Sequence, residues 1–165
     1  MKPRLIIHGA AGRMGRRILS MAMESQAWTL TGAVDWAEHP DIGKDAGLLA
    51  GGEAIGVTLA GTLAGPADVM IDFSLPAAAE RSIAFCAENG IGLVLGTTGL
   101  SAGHFEQLKK AAKSVAIVQA TNMSLGMNLL FNLVGTVARG LGEEYDIEIV
   151  EAHHRQKKDA PSGSA

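Results

Sequence analysis

The chain has 165 residues, of which 47% are hydrophobic and 19% charged, and its formal net charge is −3. This length is enough for one domain, or for one domain and the start of another, with a sizeable core, and the composition excludes a disordered tail protein. The acidic balance gives no overall attraction to nucleic acid or to anionic membranes, so any affinity for anions must be local.

The cysteine content and the N-terminus indicate the cellular compartment in which we expect the protein. The single cysteine, Cys86, excludes a disulfide framework and a cysteine-based metal site, and it lies in an apolar stretch where we expect it to be buried. The N-terminal apolar run is too short for a signal peptide, and no apolar stretch is long enough to span a membrane. We therefore expect a cytoplasmic protein without membrane or nucleic-acid partners.

Residues 4–15, RLIIHGAAGRMG, combine a short apolar run with three evenly spaced glycines, Gly9, Gly12 and Gly15, and a helix-compatible segment follows. A strand, a glycine turn and a helix form the layout of a phosphate-binding loop. The glycines then allow a tight turn, close approach of a pyrophosphate and close packing of the helix. Glycine triplets also occur in turns that bind nothing, so the motif alone is a hypothesis.

A second predicted strand, residues 28–35, ends at Asp35, 20 positions after Gly15. A dinucleotide-binding fold places here the acid that accepts hydrogen bonds from the adenosine ribose, although a strand-end Asp can also simply open a turn. Trp36 follows where a basic residue would hold a 2′-phosphate, and Arg13 and Arg16 are the nearby cations that could substitute. The sequence therefore favours NADH without excluding NADPH.

The remaining segments alternate between strands and helices. Residues 37–65 form a connector with a short strand at 57–59, and further buried strands are predicted at 69–73, 92–95 and 115–118.

Each predicted helix has a start or stop signal. Ser74 and Pro76 open one that ends before Gly90, and Ser101 caps another that turns Phe105 inward and leaves His104 exposed.

This alternation predicts an α/β fold, a Rossmann-like doubly wound parallel sheet with right-handed crossovers. Ligands of such sheets bind beyond the carboxyl ends of the strands. Five turns come out on that edge: the glycine turn, Asp35, residues 73–74, residues 96–99 (GTTG) and residues 120–123. Their convergence supports a dinucleotide site more strongly than the glycines do.

The character of the chain changes near Ser124. A long apolar stripe over residues 127–141 predicts a helix, and residues 145–151 alternate in the manner of a strand with one wetter face. We therefore predict a dinucleotide-binding domain at residues 1–122 and the beginning of a second, α+β domain for substrate binding or oligomerisation at residues 123–165.

The last 15 residues, EAHHRQKKDAPSGSA, concentrate basic side chains in an otherwise acidic chain. A solvated basic loop is one interpretation. A metal site is disfavoured because adjacent histidines rarely face one ion, and a nucleic-acid patch because the cluster lacks aromatic residues. The remaining interpretation is an anion site with proton donors, in which lysines supply charge, a histidine supplies a proton and the PSGS amides hold a carboxylate.

Four motifs, GAAGRMG, GTTG, ATNMSLGMN and above all EAHHRQKKDAPSGSA, together resemble the 4-hydroxy-tetrahydrodipicolinate reductase (dihydrodipicolinate reductase) family almost end to end. The resemblance implies NAD(P)H-dependent reduction of a small cyclic dicarboxylate in lysine biosynthesis through diaminopimelate. It also implies a homotetramer at full length. Family members are substantially longer than this chain, so a fragment is expected to turn over poorly.

The resemblance also implies roles for individual residues. His153 matches the acid/base residue and Lys157 the proton donor, while His154, Gly163 and Ser164 match substrate-binding positions. The positions that match cofactor contacts are Gly9, Ala10, Ala11, Gly12, Arg13, Met14, Asp35, Gly96, Thr97, Thr98, Ala120, Thr121, Asn122 and Met123.

Two departures from the family pattern are Trp36, where relatives that accept both cofactors often have a basic residue, and Ser164, where Thr is usual. Two other functions stay open at this point. One is a non-catalytic dinucleotide-binding module or an inactive fragment of such a reductase. The other is a related dehydrogenase that acts on another small amino or keto acid.

Overall fold

The computed structural model describes residues 1–153, 155 and 160–164. The chain divides into two compact units, Met1–Gln119 and Ala120–Ala165, called here the first and second unit. In the described part of the chain, no helix has the length and apolar character needed to cross a membrane.

The first unit is built on one six-stranded sheet in which all five neighbouring pairs are parallel. Its order, β3-β2-β1-β4-β5-β6, reverses direction between β1 and β4, which is the switch point where this kind of sheet binds dinucleotides. The predicted doubly wound parallel fold is confirmed. The strands are β1 (Arg4–His8), β2 (Thr29–Val34), β3 (Leu59–Ala60), β4 (Val69–Asp72), β5 (Gly92–Leu95) and β6 (Ile117–Gln119).

Alternating side chains of β1 and β4 enter two separate cores, one on each face of the sheet. In β1, Ile6 packs with Ile83 and Leu108 on one face, while Leu5 and Ile7 belong to the core on the other face. All three β1 side chains are at most 1% exposed, and burying a side chain of this size contributes about 1.5–3 kcal/mol. Apolar runs that looked continuous in sequence are therefore explained by a sheet covered on both faces.

The helices of the first unit are α1 (Arg13–Ser25), α2 (Ala46–Leu49), α3 (Pro76–Asn89) and α4 (Ala102–Ala111). Pro76 opens α3 as predicted, and Gly90 ends it with a left-handed φ of 67°. The N-cap of α3 is Leu75 rather than Ser74. Ser74 lies in the preceding turn, where its amide donates to the carboxylate of Asp72.

Two expectations for α4 were wrong. Phe105, predicted to face inward, is 42% exposed. His104, predicted to be exposed, is half-buried: its Nδ1 accepts from the Ser101 amide in a capping box, and its Nε2 lies 3.0 Å from the Pro76 carbonyl oxygen. The histidine thus takes the place that Glu or Gln usually takes in a capping box, which the sequence pattern does not signal.

Cys86 is buried in the core on the α3 side, as predicted. Burial, with a smaller contribution from the charge of Asp72, raises the pKa of its thiol to about 12. The thiol is therefore protonated at neutral pH, and Cys86 behaves as a small apolar side chain.

The second unit begins with α5 (Leu125–Leu141), whose first turn is capped by Ser124, and a 3-10 turn follows at Gly142–Glu144. The strand predicted at residues 145–151 is absent. A strand needs a neighbour for its backbone hydrogen bonds, and the described residues of this unit contain no strand with which it could pair.

Candidate active site

The glycine turn leaves β1 at Gly9 and enters α1 at Arg13. Gly9 has a φ of 75°, and a side chain there would place its Cβ 2.6 Å from the carbonyl oxygen of Phe73. Gly12 is the N-cap of α1 and contributes no side-chain cap, so the first amides of the helix are left to other acceptors. A Cβ at Gly15 would overlap the backbone of Gly9 and Ala10. The three glycines thus serve a turn, an open helix start and close packing, which is what a pyrophosphate loop requires.

The carboxylate of Asp35 lies directly beside this turn. Its Oδ2 accepts from the amide of Ala11 and its Oδ1 from the amide of Trp36, both at 2.9 Å. Each carboxylate oxygen can accept more than one hydrogen bond, so both retain capacity for ribose hydroxyls.

The two arginines named above as possible partners of a 2′-phosphate, Arg13 and Arg16, differ in their contacts. The Arg16 guanidinium donates to the Ala11 carbonyl at 2.8 Å and to the carboxylate of Asp41 at 2.9 Å, whereas Arg13 is exposed. Trp36 is 51% exposed and meets the ring of His39 edge-on, with 6.0 Å between ring centroids. A 2′-phosphate at this point would therefore meet a carboxylate, an indole and an arginine already paired with Asp41.

The GTTG turn at the end of β5 is held by a buried acid, Asp72. Thr97 is 3% exposed and its hydroxyl donates to Asp72 Oδ1 at 2.9 Å, while Thr98 is exposed. A side chain at Gly96 would overlap the ring of Phe73. Close packing therefore fixes the base of this turn and leaves Thr98 accessible.

Sequence reasoning missed a polar cluster beneath these turns, formed by His8, Asp72 and Ser82. His8 Nδ1 lies 3.2 Å from Asp72 Oδ2 and 2.7 Å from Ser82 Oγ, and all three residues are at most 3% exposed. The β1–β4 register pairs His8 directly with Asp72. The available signal was a titratable residue at the end of each of two otherwise apolar strands.

The second unit brings two predicted site segments together. Asn122, from the segment matched to cofactor contacts, donates through its side-chain amide to Ser164 Oγ at 2.9 Å. Thr121 Oγ1 is 3.5 Å from the carbonyl oxygen of Gly163. Residues matched separately to cofactor and substrate binding, 42 positions apart, therefore lie side by side.

The predicted acid/base residue His153 contacts Glu151, and Glu151 also holds the PSGS turn at residues 161–164. His153 Nδ1 is 3.5 Å from Glu151 Oε2, and Glu151 Oε1 accepts from the amide of Ser162 at 2.7 Å. Glu151, which received no role from the sequence, thus contacts both the histidine and the PSGS turn. The predicted residues His154 and Lys157 lie outside the described residues.

In the first unit, the structure places the glycine turn, Asp35 and the GTTG turn at the carboxyl edge of the sheet, as predicted. This set comprises Gly9, Ala10, Ala11, Gly12, Arg13, Met14, Asp35, Gly96, Thr97 and Thr98. No group of three or more His, Cys, Asp or Glu side chains suited to a metal ion occurs among the residues that the structure describes.

Two models of known protein families match the chain, and together they cover nearly all of it. A family model described as "Dihydrodipicolinate reductase, N-terminus" matches residues 3–123, and one described as "Dihydrodipicolinate reductase, C-terminus" matches residues 126–165.

The chain belongs to the dihydrodipicolinate reductase family.

Individual family members agree with this assignment. Over 98% of its length the chain is 47% identical to the 4-hydroxy-tetrahydrodipicolinate reductase of Anaeromyxobacter dehalogenans strain 2CP-1, and equally so to that of Bradyrhizobium diazoefficiens. It spans 61% of the length of each of these curated relatives.

A solved structure of the dihydrodipicolinate reductase family has the same fold. It is the dipicolinate-bound enzyme from Paenisporosarcina sp. TG-14, with a TM-score of 0.73 and 25% identity, which matches 99% of this chain and 63% of its own. The fold and the family predicted from sequence are thereby confirmed, and the individual roles assigned to site residues stay predictions.

Proposed function

We propose that this chain carries the cofactor site and part of the substrate site of an NAD(P)H-dependent 4-hydroxy-tetrahydrodipicolinate reductase. This enzyme reduces its cyclic dicarboxylate substrate to tetrahydrodipicolinate in lysine biosynthesis through diaminopimelate. The observation that carries the proposal is the hydrogen bond between Asn122 and Ser164, 2.9 Å long. Hydride transfer requires nicotinamide and substrate to be in contact, and this bond joins the segments matched to each.

The residues at the sheet edge fit a dinucleotide. Gly9 and Gly12 leave room for a pyrophosphate at the start of α1, and Asp35 has oxygens available for ribose hydroxyls. When bound, a reduced nicotinamide supplies the hydride. We favour NADH, because a 2′-phosphate would be repelled by the Asp35 carboxylate and because Arg16 is already paired with Asp41.

The C-terminal cluster supplies the groups that the substrate needs. Reduction of a conjugated cyclic imine places electron density on the ring nitrogen, so a nearby donor must deliver a proton. His153, and Lys157 by resemblance, are the donors available. The Ser164 amide already donates to Ser162 Oγ at 3.2 Å. The Gly163 amide and the Ser164 hydroxyl, which accepts from Asn122 and keeps its own proton, are suited to hold one substrate carboxylate through charge-assisted hydrogen bonds.

A dicarboxylate substrate also explains the local charge of the C-terminal cluster. Arg155, Lys157 and Lys158 are concentrated there in a chain whose net charge is −3. Such a cluster attracts an anion locally where the whole molecule does not.

Two further parts of the proposal concern the full-length protein. It would be a cytoplasmic homotetramer, as the family resemblance implies. Light scattering of a form extended to the length of the curated relatives tests the oligomeric state, and a monomer at micromolar concentration would contradict it.

The decisive experiment measures NADH oxidation by the extended form, supplied with the condensation product of pyruvate and aspartate semialdehyde. We expect substrate-dependent loss of NADH absorbance. Folded protein that binds NADH but does not oxidise it with this substrate would refute the reductase assignment and would favour a non-catalytic dinucleotide-binding module.

A further inference from the structure

The side chain of Asp72 is fully buried at the carboxyl end of β4, next to the predicted cofactor turns. A buried carboxylate is costly unless hydrogen bonds compensate it, and a whole buried ion pair can often be replaced by well-packed apolar residues without loss of stability. Stability alone therefore does not explain why an acid occupies this position.

One carboxylate oxygen of Asp72 joins two turns. Oδ1 accepts from the amide of Ser74 at 2.7 Å and from the hydroxyl of Thr97 at 2.9 Å. The Thr97 hydroxyl is also 3.3 Å from the Ser74 carbonyl oxygen, and the Gly96 amide donates to the backbone carbonyl of Asp72 at 2.9 Å. The β4–α3 turn and the GTTG turn are thus fixed to each other through this acid.

The other carboxylate oxygen faces the end of β1. Oδ2 lies 3.2 Å from His8 Nδ1, which also contacts Ser82 of α3, and His8 is followed directly by Gly9. The amide of Phe73 donates to the His8 carbonyl at 3.1 Å, and the Phe73 carbonyl lies against Gly9. The start of the glycine turn is therefore joined to the same acid.

The strand order tells which half of a dinucleotide depends on these contacts. Asp35 follows β2, on one side of the glycine turn, whereas Ser74 and Thr97 follow β4 and β5 on the other side. A dinucleotide whose pyrophosphate crosses the sheet between β1 and β4 has its adenosine on the β2 side and its nicotinamide on the β4–β5 side.

We propose that Asp72 is a positioning residue of the cofactor site, which holds the Thr97 turn in place against the glycine turn and so determines affinity for the nicotinamide half of the dinucleotide. The inference rests on the proposed function for the identity of the ligand. It assigns Asp72 no contact with the cofactor, because its oxygens are already occupied by Ser74, Thr97 and His8.

The test compares binding of NADH with binding of ADP, which contains only the adenosine half and its phosphates, by calorimetry on the 165-residue chain. We expect Asp72→Asn to weaken NADH binding about tenfold. An asparagine side chain has one acceptor oxygen where the carboxylate has two, so it cannot keep all the hydrogen bonds of this buried network. ADP affinity should stay within about a factor of two, because the hydrogen bonds that shape the glycine turn, from the Gly12 amide to the Gly9 carbonyl and from the Ala11 amide to Asp35, do not involve the Asp72 side chain.

Variants of Thr97 keep the test decisive if Asp72→Asn does not fold. Thr97→Val removes the hydroxyl at nearly constant shape and should reproduce the selective loss of NADH affinity, whereas Thr97→Ser retains the hydroxyl and should restore it. Ile83→Ala, a buried change in α3, is the control: it should lower thermal stability and leave the ratio of NADH to ADP affinity unchanged.

Equal losses of NADH and ADP affinity in Asp72→Asn and Thr97→Val, or no loss in either, would overturn the positioning role. Selective loss of NADH affinity supports it even if the extended protein oxidises no NADH with the proposed substrate, which would refute the reductase alone. A wild-type chain that binds neither ligand would overturn both.

Discussion

The carboxylate of Asp35 accepts a hydrogen bond from the backbone amide of Ala11, with 2.9 Å between N and Oδ2. This bond connects the end of β2 to the glycine turn, 24 residues earlier in the chain. The acid is therefore held at the turn instead of projecting into solvent. A ribose held next to a pyrophosphate at the start of α1 would meet it there.

Replacing Asp35 with Ala should weaken NADH binding more than NADPH binding. Hydrogen bonds to a charged group contribute about 1.5–3 kcal/mol, so the Kd of NADH should rise roughly tenfold or more. NADPH should lose less, since the change also removes repulsion of its 2′-phosphate. Asp68→Asn, at the opposite end of the sheet and paired with Arg4, is the matched control. Equal losses for the two cofactors would reject the ribose assignment.

Gly15→Ala should destabilise the first unit and abolish tight cofactor binding. The added Cβ would overlap the backbone of Gly9 and Ala10, and overpacking of this kind costs about 1–3 kcal/mol or more. Gly103→Ala in α4 is the control, because its Cβ would meet only Ser101 Oγ at 3.6 Å. That control should gain about 0.5–1 kcal/mol from helix propensity. Urea unfolding and NADH titration measure both effects, and a Gly15→Ala protein of wild-type stability would contradict the close packing.

The stability that Asp72 contributes should disappear in acid. Burial alone would raise the pKa of its carboxyl group, but the hydrogen bond and charge of His8, with hydrogen bonds from Ser82 and Ser74, lower it from 3.8 to about 2. A folded pKa below the unfolded one means stabilisation that is fully present above pH 3.8 and is lost as the pH falls through about 2.

The wild-type advantage over Asp72→Asn in free energy of unfolding should therefore shrink by about 2 kcal/mol between neutral pH and pH 2. Urea titrations at several pH values measure this difference. Glu106→Gln, which removes an exposed carboxylate of α4, controls for the loss of one charge. An advantage that does not change with pH would mean that the Asp72 carboxylate is not stabilised in its ionised form.

In the extended protein, His153→Gln should lower kcat about 100-fold or more, the usual scale for loss of a general acid. Lys157→Ala should lower kcat and raise KM, since the lysine is assigned both a proton and an attraction for the substrate. The Kd of NADH should change little in either variant. Lys113→Ala, an exposed lysine of the first unit, is the control for loss of a positive charge. Unchanged turnover in both C-terminal variants would exclude the proton-donor roles.

The parts of the fold that the sequence predicted are those where local signals agree with the tertiary environment. The apolar run before Gly9, the left-handed end of α3 at Gly90 and the Ser101 cap are all decided within a few residues. Where a partner elsewhere in the chain decides, the predictions were wrong. His104 reaches the Pro76 carbonyl, 28 residues earlier in the chain, and residues 145–151 find no neighbouring strand among those described.

The sequence by itself determined the family and the strand–helix alternation, and it predicted the site residues, because glycine spacing, cap residues and the C-terminal motif are local patterns. Tertiary structure alone decided that Asp72 joins three turns through His8, Ser74 and Thr97, and that Asn122 meets Ser164. The contacts of Asp72 with His8 and Thr97, and that of Asn122 with Ser164, depend on strand register and on chain closure over tens of residues, which no local pattern encodes.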